Sequence, residues 1–502
     1  MKGIMSRIGP MLGLGLLGAL VLMTGVLVWA QTATDPGPRT GTAGAGTFQS
    51  GLTTNEKAFE PAITGQFEQA FSVAGTPACS CTNGTGVCGP ATCQSMFGLG
   101  PIFNSNSCAS CHAQPAPGGS SPQSNPLFSV YQLSGATNSM PSFEQANGPV
   151  LVPRFPYQIS NLSVPDGLVH QLFTIQGRSD NLPGCTGLSQ PNFTQANSEG
   201  DLVFRQPLPT FGDGYIEIIE NTDILNNLNS NLAQKQAFGI GGAANIADDG
   251  SVSRLGWKAQ WRAILPASGA EENVEMGVTN EMFPTETYQT TTTPPNQNCL
   301  ANPIPEDSTN YAYTGTEFVG TNYPWNFPEG VDRSAIFIRF LEQPTPGTCI
   351  ADTAFGETAT QTCSNGQKQF SNVGCNLCHT VSYTTPAGSI PNMGHVKASL
   401  YSDLLLHHMG NCLADNIVQG VAEGDMWRTP PLWNIGQRYW FMHDGRTNNI
   451  VTAIEGHSDS HQITPCTGNG SYPASEANQV ITKFNNLSQE NQQDLIYFLR
   501  SL

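Results

Sequence analysis

The apolar positions of this chain fall into three patterns. Near the start, an apolar run covers residues 11–29, preceded by Lys2 and Arg7 and followed by a small-residue site around Ala30. Positive charge, apolar core and small residues in that order make an export signal. The run also approaches spanning length, so a cleaved signal peptide and an uncleaved N-terminal membrane anchor over residues 1–30 both stay open. The second pattern is helical. Residues 333–341 (RSAIFIRFL) cluster apolar side chains and are stopped by Pro344 and Pro346, which predicts a closing helix. Leu495, Phe498, Leu499 and Leu502 recur at i, i+3, i+4 and i+7 with Ser488 placed as N-cap, predicting a last helix with one apolar stripe. Everywhere else Asn, Ser, Gly and Pro interrupt the pattern, so the expectation is a mainly α protein with short helices, long loops and few strands.

These patterns divide the chain. The 502 residues exceed the size at which one core usually stops growing, which favours two domains plus terminal extras. Residues 31–60, rich in Thr, Gly and Ala, read as a flexible lead-in. A first domain with insertions then covers 61–343, and a second covers 344–502.

Charge narrows the partners. Charged residues make up 12% of the chain and its net charge is −18, with no cluster of Lys or Arg, so phosphate neutralisation and nucleic-acid binding are excluded. Small or basic redox partners fit such a surface better.

Two motifs carry the chemistry: Cys108-Ala-Ser-Cys111-His112 and Cys375-Asn-Leu-Cys378-His379. Thiols at i and i+3 on a helical turn reach the two vinyl groups of one porphyrin, and the following His turns toward the iron. A chance match would occur in about one chain in a hundred of this length, and two matches are rarer. A thioredoxin-type pair shares Cys-x-x-Cys but not the His after both pairs. Two covalently bound haem c groups are therefore expected, with His112 and His379 as proximal iron ligands. The remaining cysteines are Cys79, Cys81, Cys88, Cys93, Cys185, Cys299, Cys349, Cys363, Cys412 and Cys466. Their even number in an exported chain predicts disulfides, over a metal cluster in the crowded 79–93 stretch, with the connectivity open.

Whether an iron carries electrons or does chemistry depends on its sixth position. Besides His112 the first half holds only His170, whereas the second holds His395, His407, His408, His443, His457 and His461. The first haem is thus the one expected to be open, with His170, Met96, Met140, Met276 and Met282 as the alternatives that would close it.

Seven segments resemble the di-haem oxidoreductase family, allied to bacterial di-haem cytochrome c peroxidases and to the enzyme that matures methylamine dehydrogenase. They are GLGPIFN at 98–104, FGDGYIE at 211–217, LGWKAQ at 255–260, EMGVT at 275–279, YSDLLLHHMG at 401–410, WRTPPLW at 427–433 and MHDGR at 442–446. Two departures stand out: AQPAPGG at 113–119 lacks the charged run common after the first signature, and the cysteine-rich insertion before it is unusual. The resemblance implies two cytochrome c-like domains with haems facing a shared interface. It also implies His457, fourteen residues beyond His443, as distal ligand of the second haem, and Glu275 as the distal acid beside the first. His407, His408 and His443 become supporting hydrogen-bond donors, Arg446 and Arg428 partners for haem propionates, and Trp257, Trp427 or Trp433 candidates for the space between the haems.

The expected function is an exported di-haem c-type oxidoreductase, periplasmic or otherwise extracytoplasmic and tethered to the membrane if its leader is retained. Its open N-terminal haem would reduce peroxide or another small oxidant with electrons relayed by a bis-histidine C-terminal haem. A small cytochrome- or cupredoxin-type protein would supply them. The alternatives are a non-catalytic electron carrier and an oxidase of an organic or protein substrate. A thiol oxidoreductase role is not supported by the extra cysteines, which disulfides explain.

Overall fold

In the computed structural model, the last helix is the element the chain is built around. The model describes residues 33–502 apart from 69, 72–98, 101, 134, 135, 137, 159, 160, 166–174, 177–189, 281, 285–329, 389 and 390. The apolar run at 11–29, Met96, His170 and Cys79, Cys81, Cys88, Cys93, Cys185 and Cys299 lie outside the described residues.

Gln489–Ser501 is a helix whose N-cap Ser488 accepts from Asn491 N, as its sequence predicts. Its stripe of Leu495, Phe498 and Leu499 is buried and packs on the helix Ala359–Val373. That helix starts at a capping box formed by Thr358 and Gln361. The two approach closely at Gly366, where a Cβ would run into the Asp494 backbone, so the crossing requires glycine. The predicted closing helix is present as Gly330–Phe340. It packs against Glu60–Glu68, with Phe67 stacked on Phe337 at 4.2 Å, and against Ile264–Met276.

Strands among the described residues are two to five residues long and pair only as two-stranded antiparallel ribbons. The mainly α expectation holds, and the ribbons matter for aim rather than bulk. Val152–Arg154 pairs with Val203–Arg205, and Leu406–His408 with Met426–Arg428, which sets His407 opposite Trp427. No helix among the described residues is long and apolar enough to cross a membrane.

The core ignores the boundary expected at 343/344. Phe238 and Ile240 pack with Phe370 and Phe498, and Tyr215 and Ile216 pack with Tyr383 and Leu404, so Ala33–Leu502 is one compact unit. Nor are residues 33–60 a flexible lead-in. Thr34 N donates to Gln493 Oε1 (2.8 Å), Arg39 N to Gly436 O (2.7 Å), and Leu52 is buried beside Phe337 and Phe340. The Asp35 carboxylate accepts from Arg500 Nε (2.9 Å), Arg500 Nη2 (2.7 Å) and Ile450 N (2.7 Å). Composition suggested a linker, but one buried ion pair and a strip of backbone hydrogen bonds fix it.

Burial alone would raise the Asp35 pKa, yet the Arg500 contacts and the Ile450 amide outweigh it and hold the carboxyl below its ordinary value. This contribution is therefore present at neutral pH and is lost as pH falls through the folded-state value. Asp35→Ala leaves Arg500 buried without its counter-ion. It should cost about 3–5 kcal/mol in urea unfolding, and Asp35→Ala with Arg500→Leu should recover part of that loss.

Candidate functional site

Each Cys-x-x-Cys-His sequence forms one tight turn. In the first, Cys108–Cys111 is a single helical turn closed by His112 N donating to Cys108 O (3.0 Å). In the second, Cys375–Leu377 is a 3₁₀ turn, with His379 N donating to Cys375 O (2.8 Å). Each turn opens on a cavity, and both thiols and the ring line it. Each ring also meets a phenylalanine: Phe67 lies 6.4 Å from His112 and Phe370 lies 6.3 Å from His379.

Local backbone chemistry brings Glu275 to the first turn. Glu275 lies on the helix Ile264–Met276, which ends at Gly277 with φ +64°, a left-handed cap suited to glycine. A Cβ there would strike the Ile102 carbonyl, so glycine also lets residues 102–105 pass close by. Asn104 N (2.8 Å) and Ser105 N (2.9 Å) donate to the Glu275 carbonyl just before the signature. Ile264, Ala267, Ser268, Glu271 and Glu275 then form one helix face lining the cavity. The acidic run at 271–275 is therefore not the solvent-facing cluster its composition suggests.

The donor set fits two covalently held haems. Four cysteines are free among the described residues, and they are the four of the signatures, whereas Cys349 pairs with Cys363 and Cys412 with Cys466. Burial, with nearby Glu272 for Cys108 and Cys378 for Cys375, pushes the thiols of Cys108 and Cys375 up to about 12. Burial likewise sets Cys111 at about 12. Such thiols are poor thiolate nucleophiles and unlike a redox-active Cys-x-x-Cys pair. His112 Nδ1 lies 3.1 Å from Gly119 O and His379 Nδ1 lies 2.9 Å from Tyr401 O. A carbonyl only accepts, so each Nδ1 carries the proton and each Nε2 keeps its lone pair for a metal. Burial lowers both pKa values, that of His379 to about 4, which keeps the rings neutral and able to ligate.

The AQPAPGG departure acquires a role here. It folds back through the Gln114–Ser120 bridge and delivers the Gly119 carbonyl that orients His112.

Both cavities also hold buried guanidinium groups. Arg428 borders both cavities and Arg438 the second; burial lowers both pKa values to about 10. Arg428 Nη1 and Arg438 Nη2 have no hydrogen-bond partner among the described residues. Buried N–H groups left open in this way suit the propionate carboxylates of a haem. Arg446, expected in this role, lines neither cavity. Its guanidinium is taken by Asp444 (Nη2–Oδ2 2.7 Å) and by the carbonyls of Cys412, Ile463 and Pro465. It fastens the disulfide-linked loops instead, and Arg438 was not legible as its replacement.

The second cavity gathers histidines, but their nitrogens are spent differently. His457 follows the short helix Ile450–Glu455, and its Nδ1 lies 2.7 Å from Ala453 O, leaving Nε2 open as in His379. His407 uses both nitrogens, Nε2 to Asp403 Oδ2 (2.9 Å) and Nδ1 to Glu476 Oε2 (2.6 Å). Burial works to lower its pKa, but Cys378 and Asp403 outweigh burial and hold it well above the ordinary value. His408 pairs with Asp425 at 3.0 Å, and His443 stacks on Trp427 at 4.0 Å.

Among the described residues lining the first cavity, His112 is the one histidine, and Met276 lines it too. Opposite chemistry comes from Glu271 and Glu275, with Arg154 and Arg205 carried in on their ribbon. Burial and the neighbouring Glu271 raise Glu275 to about 7, against Arg154 and an Asn104 hydrogen bond. Burial raises Glu271 as well. Nearby Glu144, buried and set at about 8 by burial, was missed in the sequence because nothing local marks it.

The two cavities share a wall made by Trp257 and Arg428. Trp257 Nε1 donates to Gln206 O (2.8 Å) and its ring meets Trp427 edge-on at 6.2 Å. Trp427 lines the second cavity with Lys258 Nζ 4.3 Å and Arg205 Cζ 5.4 Å from its ring centre. Trp433 is elsewhere, buried in an apolar cluster with Tyr215 and Leu404.

A fold with two such cavities defines a class, and the chain's relatives name it. Residues 157–502 match the family described as "Di-haem oxidoreductase, putative peroxidase", and the protein belongs to that family. No curated protein matches the chain. Among solved structures, hydrazine synthase of Kuenenia stuttgartiensis is similar at 18% identity and TM-score 0.20, over 39% of this chain and 62% of that one. A MauG-like protein associated with microbial copper homeostasis is similar at 14% identity and TM-score 0.29, over 58% of this chain and 89% of that one. This chain therefore spans under two thirds of the length of the hydrazine synthase chain.

Proposed function

We propose that the protein is an extracytoplasmic c-type di-haem peroxidase, in which the first cavity reduces peroxide and the second takes electrons from a small redox protein. The observation that carries this reading is the unequal supply of axial ligands. His379 and His457 both offer a free Nε2 to the second cavity, whereas the first has His112 alone among its described histidines. The leader and the Cys349–Cys363 and Cys412–Cys466 pairs support an oxidising, exported setting.

When bound, haem iron supplies a site where peroxide takes two electrons and two protons to give two waters. The protein's own part is positioning and proton handling. Cys108, Cys111 and His112 hold the first group, and Cys375, Cys378, His379 and His457 the second. Glu275 accepts a proton from one peroxide oxygen at its carboxylate and returns it to the other. Arg154 favours the charged form of that carboxylate, and Arg428 and Arg438 would anchor propionates. Asp403 and Glu476 lock His407 so that it cannot compete with His457 for iron.

Titration of the reduced holoprotein with carbon monoxide tests the arrangement. One equivalent per chain is expected. Two equivalents remove the closed second site; none makes the protein an electron carrier, with Met276 the described residue placed to close the first iron.

A further inference from the structure

The turn at residues 419–422 leaves an apolar patch on the surface. Val418 and Val421 are 66% and 50% exposed, and Ile246 beside them is 42% exposed. They are held together: Asn245 Nδ2 donates to Gln419 O (2.9 Å), and Val421 N donates to Asn245 Oδ1 (3.3 Å). The rim is acidic. Asp248 and Asp249 stand at the tip of the Asn245–Ile246 ribbon and Glu423 follows the turn, all exposed. Among the described residues the cations nearby are Arg262, paired with Asp249 at 3.6 Å, and Lys258 and Arg205, which are buried beneath and bound to Asp415 at 2.9 and 2.6 Å.

The patch is wired inward. Gln419 Oε1 accepts from Arg205 Nη1 (2.7 Å), Arg205 lies over Trp427, and Trp427 stacks on His443. Trp427 and His443 both line the second cavity. From Val421 the chain itself reaches Trp427 within six residues.

We infer that Val418, Val421 and Ile246, rimmed by Asp248 and Glu423, form the docking surface for a small redox protein with basic charges around an apolar redox edge. Charge selects the occupant: the chain carries −18 overall, and this rim presents mostly carboxylates to solvent. An apolar centre within a charged rim suits short-lived encounters steered by electrostatics. In each encounter the donor is oxidised by one electron and the second cavity's haem is reduced by one; two encounters match one peroxide. The inference rests on the proposed electron-relay role of that haem.

The test is calorimetric binding of a basic c-type cytochrome to the holoprotein at low salt, alongside steady-state turnover with that cytochrome and with a small reduced dye. Val418→Ser with Val421→Ser should weaken cytochrome binding about tenfold or more and raise its KM in step, with dye-driven turnover unchanged. Asp248→Asn with Glu423→Gln should flatten the salt dependence of binding. Equal affinity in all variants, or equal affinity for an acidic cytochrome, overturns the inference. So does a wild-type dimer in sedimentation that the valine changes dissociate without altering cytochrome affinity. Patch-dependent binding without dye-driven peroxide turnover would leave the docking surface standing and remove the peroxidase reading.

Discussion

Glu275→Gln should leave both haems attached and the visible spectrum intact while lowering peroxide turnover by about a hundred- to ten-thousand-fold, the usual contribution of a general acid–base group. The glutamine keeps the shape of the side chain and its contact with Asn104 but cannot take a proton. The pH profile separates this from a packing defect. Burial and Glu271 place Glu275 at about 7, so the carboxylate needed to accept a proton forms as pH rises through that value. Turnover per peroxide encounter should therefore climb from about pH 6 to pH 8 in the native protein, and the variant should lose that climb. Stability should run the other way. A carboxyl whose folded pKa is raised contributes most when protonated and loses that contribution as pH rises, so the variant should be relatively more stable above pH 7 in thermal melts. A native-like turnover in Glu275→Gln takes this residue out of the mechanism.

His457→Ala should double the number of irons that bind carbon monoxide, from one per chain to two. The spectrum should also gain a high-spin component at the second site. The other histidines are not free to substitute. His407 has both nitrogens bound to carboxylates, breaking either bond would leave a buried charge unpaired, and His443 is stacked against Trp427. An unaltered low-spin spectrum in the variant would assign the axial position to another side chain. His457 follows the helix Ile450–Glu455, so its replacement removes the ring's bond to the Ala453 carbonyl but none of the helix's own backbone bonds, and the chain should fold.

What could be read in the sequence was whatever chemistry is local. A Cys-x-x-Cys-His turn makes its own geometry within five residues, so His112 and His379 were identifiable without a fold. The stripe of the last helix and its Ser488 cap were local too. His457 and Glu275 came through resemblance, since nothing within a few residues distinguishes them from ordinary surface groups. Arg438, Glu144 and Arg154 gave no signal, because their burial is created by segments far away in the chain. Arg446 misled for a physical reason: it follows the His443 motif, but Asp444, two residues earlier, captures its guanidinium before any cofactor can. Residues 33–60 misled by composition, since a single acid at position 35 counts little in an average and much in a buried ion pair.

That ion pair limits how the molecule can be taken apart. Asp35 reaches the helix that covers the second cavity, while Leu52, farther along the same strap, is packed under Phe337 and Phe340 beside the first. Cutting between residues 343 and 344 would free no self-standing half: the later fragment would lack its fastening, and the earlier one would carry a tail with nothing to hold. Neither compartment is a portable module for grafting onto another scaffold, because the strap that fastens one is packed beside the other.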